Sequence, residues 1–253
     1  MDESTEFGPP PQLSLVLPTY CEAESLPHLV PEALRQLRTS GLACEVIVVD
    51  DASPDGTAAV ARELGALWPL EVVERRGERG LATAVVAGFR KARGEILIVM
   101  DADGSHPPEA LPRLVQAIVD GAGVAVGSRL ADGGGFRDWP LWGRFKSRFA
   151  AYFARGLTSM SDPTTGLMAV RRSLLDTLDL DPVGWKIVLE IAVKAAPHEV
   201  AEVPIVFGPR LGGESKQSLG VFLQYLRHCL RLYRHRWRRT PEPAERPTPE
   251  NPR

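Results

Sequence analysis

The 253-residue chain is 44% hydrophobic and 25% charged, with 30 basic and 32 acidic residues and a formal net charge of −2. That composition suits one large domain with a buried core, and it excludes global disorder and a basic, dedicated nucleic-acid binder. Three scattered cysteines, Cys21, Cys44 and Cys229, exclude a disulfide framework or a CxxC metal site and point to a reducing compartment.

Residues 1–11 are acidic and Pro-rich, which reads as a disordered segment lacking the basic and apolar regions of a signal peptide. From residue 12, strand and helix signals alternate. An apolar run over 13–17 is followed by Leu26, Leu29, Val30, Ala33, Leu34 and Leu37, one face of a helix. A strand over 45–49, a helix over about 55–67 and a strand over 70–73 come next. Leu81, Val85, Phe89 and Ala92 mark a helix, 96–100 a wholly apolar strand, and Leu111, Leu114, Val115 and Ile118 another helix before a strand over 123–126.

Beyond Gly127 the pattern changes. Residues 130–139 are Gly-rich and read as a mobile loop, 142–157 as a basic amphipathic helix, 165–170 as a strand, 185–196 as a helix and 202–207 as a strand. From 219 to 239 there are six arginines and no acid, with Phe222, Leu223, Leu226, Leu230, Tyr233 and Trp237 along one face. Such a helix either lies at a membrane interface, drawn to anionic lipid, or packs on the domain with a solvated basic side. Residues 240–253 hold five prolines among charges and read as a disordered tail. No apolar run approaches the roughly 18–20 residues of a membrane span.

Apolar strands separated by helices of this length predict an α/β domain over 12–218, with a mostly parallel sheet covered by helices on both faces. Ligands of such sheets bind at the carboxyl ends of strands, which directs attention to Pro18–Glu22, Asp50–Gly56 and Asp101–His106. Asp101 and Asp103, one residue apart after the most apolar strand, suit a divalent cation; oxygen ligands favour Mg²⁺ or Mn²⁺. The alternative is a solvated turn in which Asp103 or Ser105 caps the helix beginning near Pro107.

Asp51, Ser53, Asp55 and Gly56 mimic the start of a calcium loop, but the twelfth position is Arg62 and a strand precedes it, so that reading fails. Ser53 or Asp55 suits a helix cap. Asp50 and Asp51 are not needed for capping, and their carboxylates can accept from base N–H groups or a ribose hydroxyl. There is no Walker A motif, and the first strand-to-helix turn, Leu17-Pro-Thr-Tyr-Cys-Glu22, has no glycine, which excludes the dinucleotide fingerprint.

In one order the chain carries Leu17-Pro-Thr-Tyr-Cys-Glu22, Val48 to Thr57, Arg79-Gly-Leu-Ala-Thr-Ala84, Met100-Asp-Ala-Asp-Gly-Ser-His106, Gly127-Ser-Arg129, Ser161-Asp-Pro-Thr-Thr-Gly166, Gly184-Trp-Lys-Ile187 and Gly213-Glu-Ser-Lys216. This ordered set resembles the family 2 glycosyltransferases of the dolichol-phosphate mannosyltransferase type, from about Leu13 to Tyr233. The resemblance implies a GT-A fold and inverting transfer of a hexose from a nucleotide sugar to a polyprenyl phosphate. It implies mannose from GDP-mannose, with UDP-glucose or another UDP-sugar, or a catalytically silent subunit binding lipid or a membrane partner, as alternatives.

Carried over by position, Pro18, Tyr20, Glu22, Asp50 and Asp51 would line the nucleotide pocket. Asp101 and Asp103, with Ser105 as a third ligand, would hold Mg²⁺ or Mn²⁺. Arg129 would meet the acceptor phosphate with Arg144 and Ser147, and Lys216 the donor phosphates. Relatives usually carry Asn where this chain has Cys21. The expected setting is peripheral, on the cytoplasmic face of a membrane, held there by the 219–239 helix or by a separate membrane protein.

Overall fold

The computed structural model describes residues 10–138, 149–182, 184–210 and 219–239. Seven strands, β1 (Leu13–Thr19), β2 (Cys44–Asp50), β3 (Leu70–Glu74), β4 (Ile96–Val99), β5 (Val124–Ser128), β7 (Met168–Arg171) and β8 (Val200–Pro204), form one sheet in the order β3-β2-β1-β4-β7-β5-β8. β7 runs antiparallel to both its neighbours; every other adjacent pair is parallel. A second, two-stranded sheet pairs β6 (Gly135–Phe136) with β9 (Val206–Phe207).

Alternate residues of the central strands feed two cores, as the period-2 geometry of a strand requires. Leu13, Leu15 and Leu17 of β1 with Val46 and Val48 of β2 pack under α1 (Leu26–Arg38), α2 (Thr57–Gly65) and α4 (Leu111–Val119). Val16, Ile47 and Val49 point the other way, to α3 (Leu81–Lys91) and α7 (Ile187–Lys194). The six apolar residues whose spacing predicts α1 are the six it buries. α3 sits directly on the sheet because Gly88 faces it; a Cβ there would lie 2.3 Å from Val16 Cγ1.

Three segments differ from the sequence expectation. The Gly-rich stretch after β5 contains strand β6. The strand expected over 202–207 is two: Ile205 N–H donates to Ser128 O, closing β8 on β5, while Gly135 N–H donates to Ile205 O, so that the chain changes sheets there. β7 begins only at Met168: Leu167 O still accepts from Gly127 N–H in register with β5, but Leu167 N–H turns back to Thr165 Oγ1 and the ladder stops there. A short helix, α6 (Arg172–Leu175), follows β7. Of the helix expected over 142–157, α5 occupies 149–154, and 142–148 lie outside the described residues.

α8 (Leu219–Arg239) is a continuous 21-residue helix. Its buried face is not the stripe read from the sequence. Tyr225, Cys229 and Leu232 pack against Leu189 and Val193 of α7 and Ala154 of α5. Leu223, Leu230, Tyr233 and Trp237 are exposed, Trp237 by 83%. No helix among the described residues is long and apolar enough to cross a membrane.

Candidate active site at the strand ends

The β1–α1 and β2–α2 loops are laced together where the two strands end. Cys21 N–H donates to Ser53 Oγ at 2.9 Å, Glu22 N–H to Thr57 Oγ1 at 2.9 Å and Ala23 N–H to Asp55 Oδ2 at 3.2 Å. Asp55 Oδ1 also accepts from Thr57 N–H, at the first residue of α2, at 3.1 Å, while Gly56 holds the N-cap position. Ser53 does not cap a helix; it links Cys21 to Asp50, whose Oδ2 accepts from Ser53 N–H at 2.9 Å and whose Oδ1 accepts from Thr19 Oγ1 at 3.2 Å. Pro18 lies buried in β1. Tyr20 and Glu22 are half-buried on the loop, the Tyr20 ring stacked under the Arg79 guanidinium at 4.8 Å.

Asp51 is buried and committed. Its carboxylate accepts from Arg75 Nε at 2.7 Å and from Gly80 N–H at 2.8 Å, which fixes the turn into α3. Asp50 and Asp51 thus order the loops of the predicted nucleotide pocket from beneath.

The segment after β4 is joined to this frame by Ser25 Oγ, which donates to Ala102 O at 2.6 Å. Asp103 is buried; its Oδ1 accepts from Ser105 N–H at 3.0 Å and from Ser105 Oγ, and its Oδ2 lies 3.1 Å from Arg210 Nε. Asp101 is more open, its side chain 32% exposed, with His106 Nε2 at 3.5 Å from Oδ2. Burial pushes the Asp101 carboxyl up, but His106 and the cations of Lys186 and Arg210 outweigh it and hold the group below the usual carboxylate range. Gly166 makes room for this carboxylate: a Cβ there would stand 2.3 Å from Asp101 Oδ2.

Arg129 follows β5 and is held by an acid buried deeper than itself. Its Nε and Nη2 donate to the two oxygens of Asp162 at 2.6 and 2.7 Å, its backbone N–H to Asp162 at 3.1 Å, and Nη2 to Thr164 Oγ1 at 2.6 Å. Nη1 is uncommitted among the described residues. Phe136 and Phe207 face the guanidinium at 5.5 and 5.1 Å, and His106 stands edge-on to Phe207 at 5.0 Å. This places β6 and β9, the small sheet, as an aromatic wall between Arg129 and the Asp101–Asp103 segment.

Lys186 closes the far side, its Nζ donating to Thr164 O at 2.6 Å. Burial and the nearby Arg129 push its ammonium down to about 8, against the opposing pull of Asp101 and Asp162. Sequence reasoning assigned no role to Arg210, Lys186 or His106; the last two lie inside quoted motifs, whereas Arg210 lies outside all of them and carries no local signal. Arg144, Ser147 and Lys216 lie outside the described residues.

The family model "Glycosyl transferase family 2" matches residues 14–179. The chain belongs to that family. Dolichol-phosphate mannosyltransferases of Pyrococcus furiosus and Mycosarcoma maydis are 40% and 39% identical to it, over 87% and 91% of this chain and 63% and 82% of their own lengths. The polyprenol monophosphomannose synthase of Mycolicibacterium smegmatis is 39% identical over 86% of this chain and 85% of its own. These similarities place this glycosyltransferase with the dolichol-phosphate mannosyltransferases of family 2. A mannosyltransferase from Pyrobaculum calidifontis, solved with GDP-Man and Mn²⁺, superposes with a TM-score of 0.62 at 25% identity over 93% of this chain and 67% of that one. The glucosyl-3-phosphoglycerate synthase of Mycobacterium tuberculosis shares the fold, with a TM-score of 0.63 at 20% identity over 89% and 78%. The fold is thus that of the GT-A glycosyltransferases.

Proposed function

We propose that this glycosyltransferase moves mannose from GDP-mannose to a polyprenyl phosphate, with inversion at the anomeric carbon and with a divalent cation, Mg²⁺ or Mn²⁺. The observation that carries the reading is the arrangement at the strand ends of an acid pair after β4, Asp101 open and Asp103 buried, and, across the aromatic wall, an arginine whose Nη1 has no partner among the described residues. The first suits a metal-bound diphosphate and the second an anionic acceptor. GDP-mannose as donor is supported by the Pyrobaculum calidifontis mannosyltransferase, which was solved with GDP-Man and Mn²⁺.

Asp101 and Asp103, with Ser105, offer an all-oxygen set, which fits a hard divalent cation. When bound, such an ion supplies charge neutralisation for the leaving diphosphate. Arg210 and Lys186 bring positive charge to Asp101, and with Lys216 they would hold the donor phosphates. Pro18, Tyr20, Glu22, Asp50 and Asp51 would shape the base and ribose pocket. A phosphate monoester is anionic near neutral pH, so its oxygen attacks the anomeric carbon without a general base. Arg129, with Arg144 and Ser147, would aim it. Catalysis is then positioning and electrostatic stabilisation.

The setting we propose is peripheral, on the cytoplasmic face of a membrane. α8 carries six arginines and no acid, and presents Leu223, Leu230 and Trp237 outward. Phe149 and Tyr152 of α5 are exposed as well. A basic face with apolar and aromatic side chains matches an anionic lipid surface.

The deciding assay is purified protein with Mg²⁺ or Mn²⁺, a panel of nucleotide sugars and a polyprenyl phosphate. Labelled glycolipid is expected with GDP-mannose; none with any donor overturns the transferase reading, and product only with a UDP-sugar replaces the donor. Full activity in Asp103→Asn would remove the metal assignment. Flotation with anionic vesicles, with and without residues 219–253, tests the membrane setting.

A further inference from the structure

Gln224, Tyr225 and His228 lie on the side of α8 turned toward the protein, which a lipid anchor alone does not explain. Gln224 packs on Gly184, where φ is +76° and an added Cβ would stand 3.1 Å from Gln224 Cδ. Gly184 O in turn accepts from Ala82 N–H at 3.2 Å, at the start of α3. One turn further along α8, His228 is buried, faces the Lys186 backbone and the buried Glu190, and has Arg231 Nη2 at 3.4 Å from Nδ1. Its Nε2 makes no well-formed hydrogen bond. The same helix grips α5: Tyr225 Oη donates to Ala150 O at 2.8 Å and Tyr233 Oη to Phe153 O at 3.1 Å.

We propose that α8 is a positioning element of the crevice, in which Gln224 and His228 hold the 184–186 turn and so keep Lys186 on Thr164, facing Asp101 and Asp162. The inference rests on the transferase reading. One helix then has two tasks on two faces. Its outer face meets lipid, and its inner face sets a cation between the donor and acceptor ends of the site. A shift of α8 on the domain moves that cation, because the side chains that seat the turn belong to α8 itself. Lys186 is the N-cap residue of α7, its carbonyl oxygen accepting from Glu190 N–H at 3.3 Å, so α7 anchors its backbone while the turn before it rests on α8.

The test separates the two faces. Gln224→Ala and His228→Leu alter the inner face; a triple change of Leu223, Leu230 and Trp237 to Ser alters the outer one. Each is assayed with a short-chain, water-soluble polyprenyl phosphate and with a long-chain acceptor in anionic vesicles. The inner variants should lose about ten- to a hundredfold in kcat with both acceptors, as expected when a distant change misplaces a reacting group. Gln224→Met, which keeps the volume against Gly184, should retain most of it. The outer variant should keep its kcat with the soluble acceptor and lose turnover only on vesicles.

Lys186 is followed directly by NMR of ¹³C-dimethylated lysines. Its signal should move in the inner variants and stay in the outer one, at unchanged Tm. Inner variants that keep full kcat on the soluble acceptor, or that leave the Lys186 signal in place, overturn the proposal. A wild-type protein that makes no glycolipid overturns the transferase reading, and the NMR comparison still decides the positioning.

Discussion

Replacing Asp162 by Asn removes the charge that holds Arg129 while leaving the shape almost unchanged. Asp162 is fully buried and accepts from Arg129 Nε, Nη2 and backbone N–H, with Thr164 Oγ1 as a fourth donor at 3.0 Å. An amide keeps one acceptor and turns the other oxygen into a donor aimed at N–H groups. Arg129, 8% exposed, would then be a buried charge without a counter-ion. Breaking a buried pair from one side costs about 3–5 kcal/mol, or about 6–20 °C in Tm for a domain of this size.

Burial pushes the Asp162 carboxyl up, but the Arg129 fork outweighs it and holds the group below its ordinary value of 3.8. A depressed acid contributes stability that is fully present above its unfolded-state value and is lost as pH falls through the folded-state one. Urea unfolding of wild type and Asp162→Asn should therefore differ by a constant amount from about pH 5 to 8 and converge only below about pH 4. A difference under about 1 kcal/mol at pH 7, or one that already shrinks between pH 7 and 5, would refute this account of the pair.

Cys21 has φ = +65°, a left-handed conformation that Asn tolerates far better than most side chains. Cys21→Asn should raise stability by about 0.5–1 kcal/mol and Cys21→Val should lower it, read from urea midpoints. Gly166→Ala puts a methyl group 2.3 Å from Asp101 Oδ2, so the carboxylate must swing away; turnover should fall about a hundredfold, with a raised metal requirement and a Tm within a few degrees of wild type.

The fold was legible where burial repeats with a clear period. β1, β2 and β4 are apolar on both faces, and α1 shows its buried residues as a single stripe. Legibility failed where tertiary partners decide. β6 is two residues long and exists because β9 pairs with it. In α8 apolar residues fall on two faces, and periodicity cannot say which one meets the domain. The buried one contains Tyr225, His228 and Cys229, less apolar than the exposed Leu223, Leu230 and Trp237. The acids of the crevice were visible as motifs, but their commitments were not. Asp51 is bound by Arg75, 24 residues away, and Arg129 by Asp162, 33 residues away. The net charge of −2 likewise hides a crevice lined by acids and a helix with none.

Those commitments sort the acids by what they can still bind. Asp50, Asp51 and Asp162 engage both oxygens in hydrogen bonds within the protein, so a ligand there could add to those bonds but not replace them without disturbing the loops they order. Asp101 has only His106, at 3.5 Å, among the described residues. Asp103 is intermediate, with Oδ1 kept by Ser105 and Oδ2 shared with Arg210, whose side chain is one-third exposed. A cation that uses Asp103 Oδ2 must therefore compete with that guanidinium. Arg210→Gln removes the competitor. Since a partly exposed pair is worth up to about 1 kcal/mol, Mn²⁺ should bind the nucleotide-free variant about fivefold more tightly. Turnover should fall, because the same residue supplies positive charge beside the diphosphate. Mn²⁺ titration followed by EPR reads the first effect without any reaction. Weaker binding in Arg210→Gln would show that Arg210 orients Asp103 for the metal instead of competing with it.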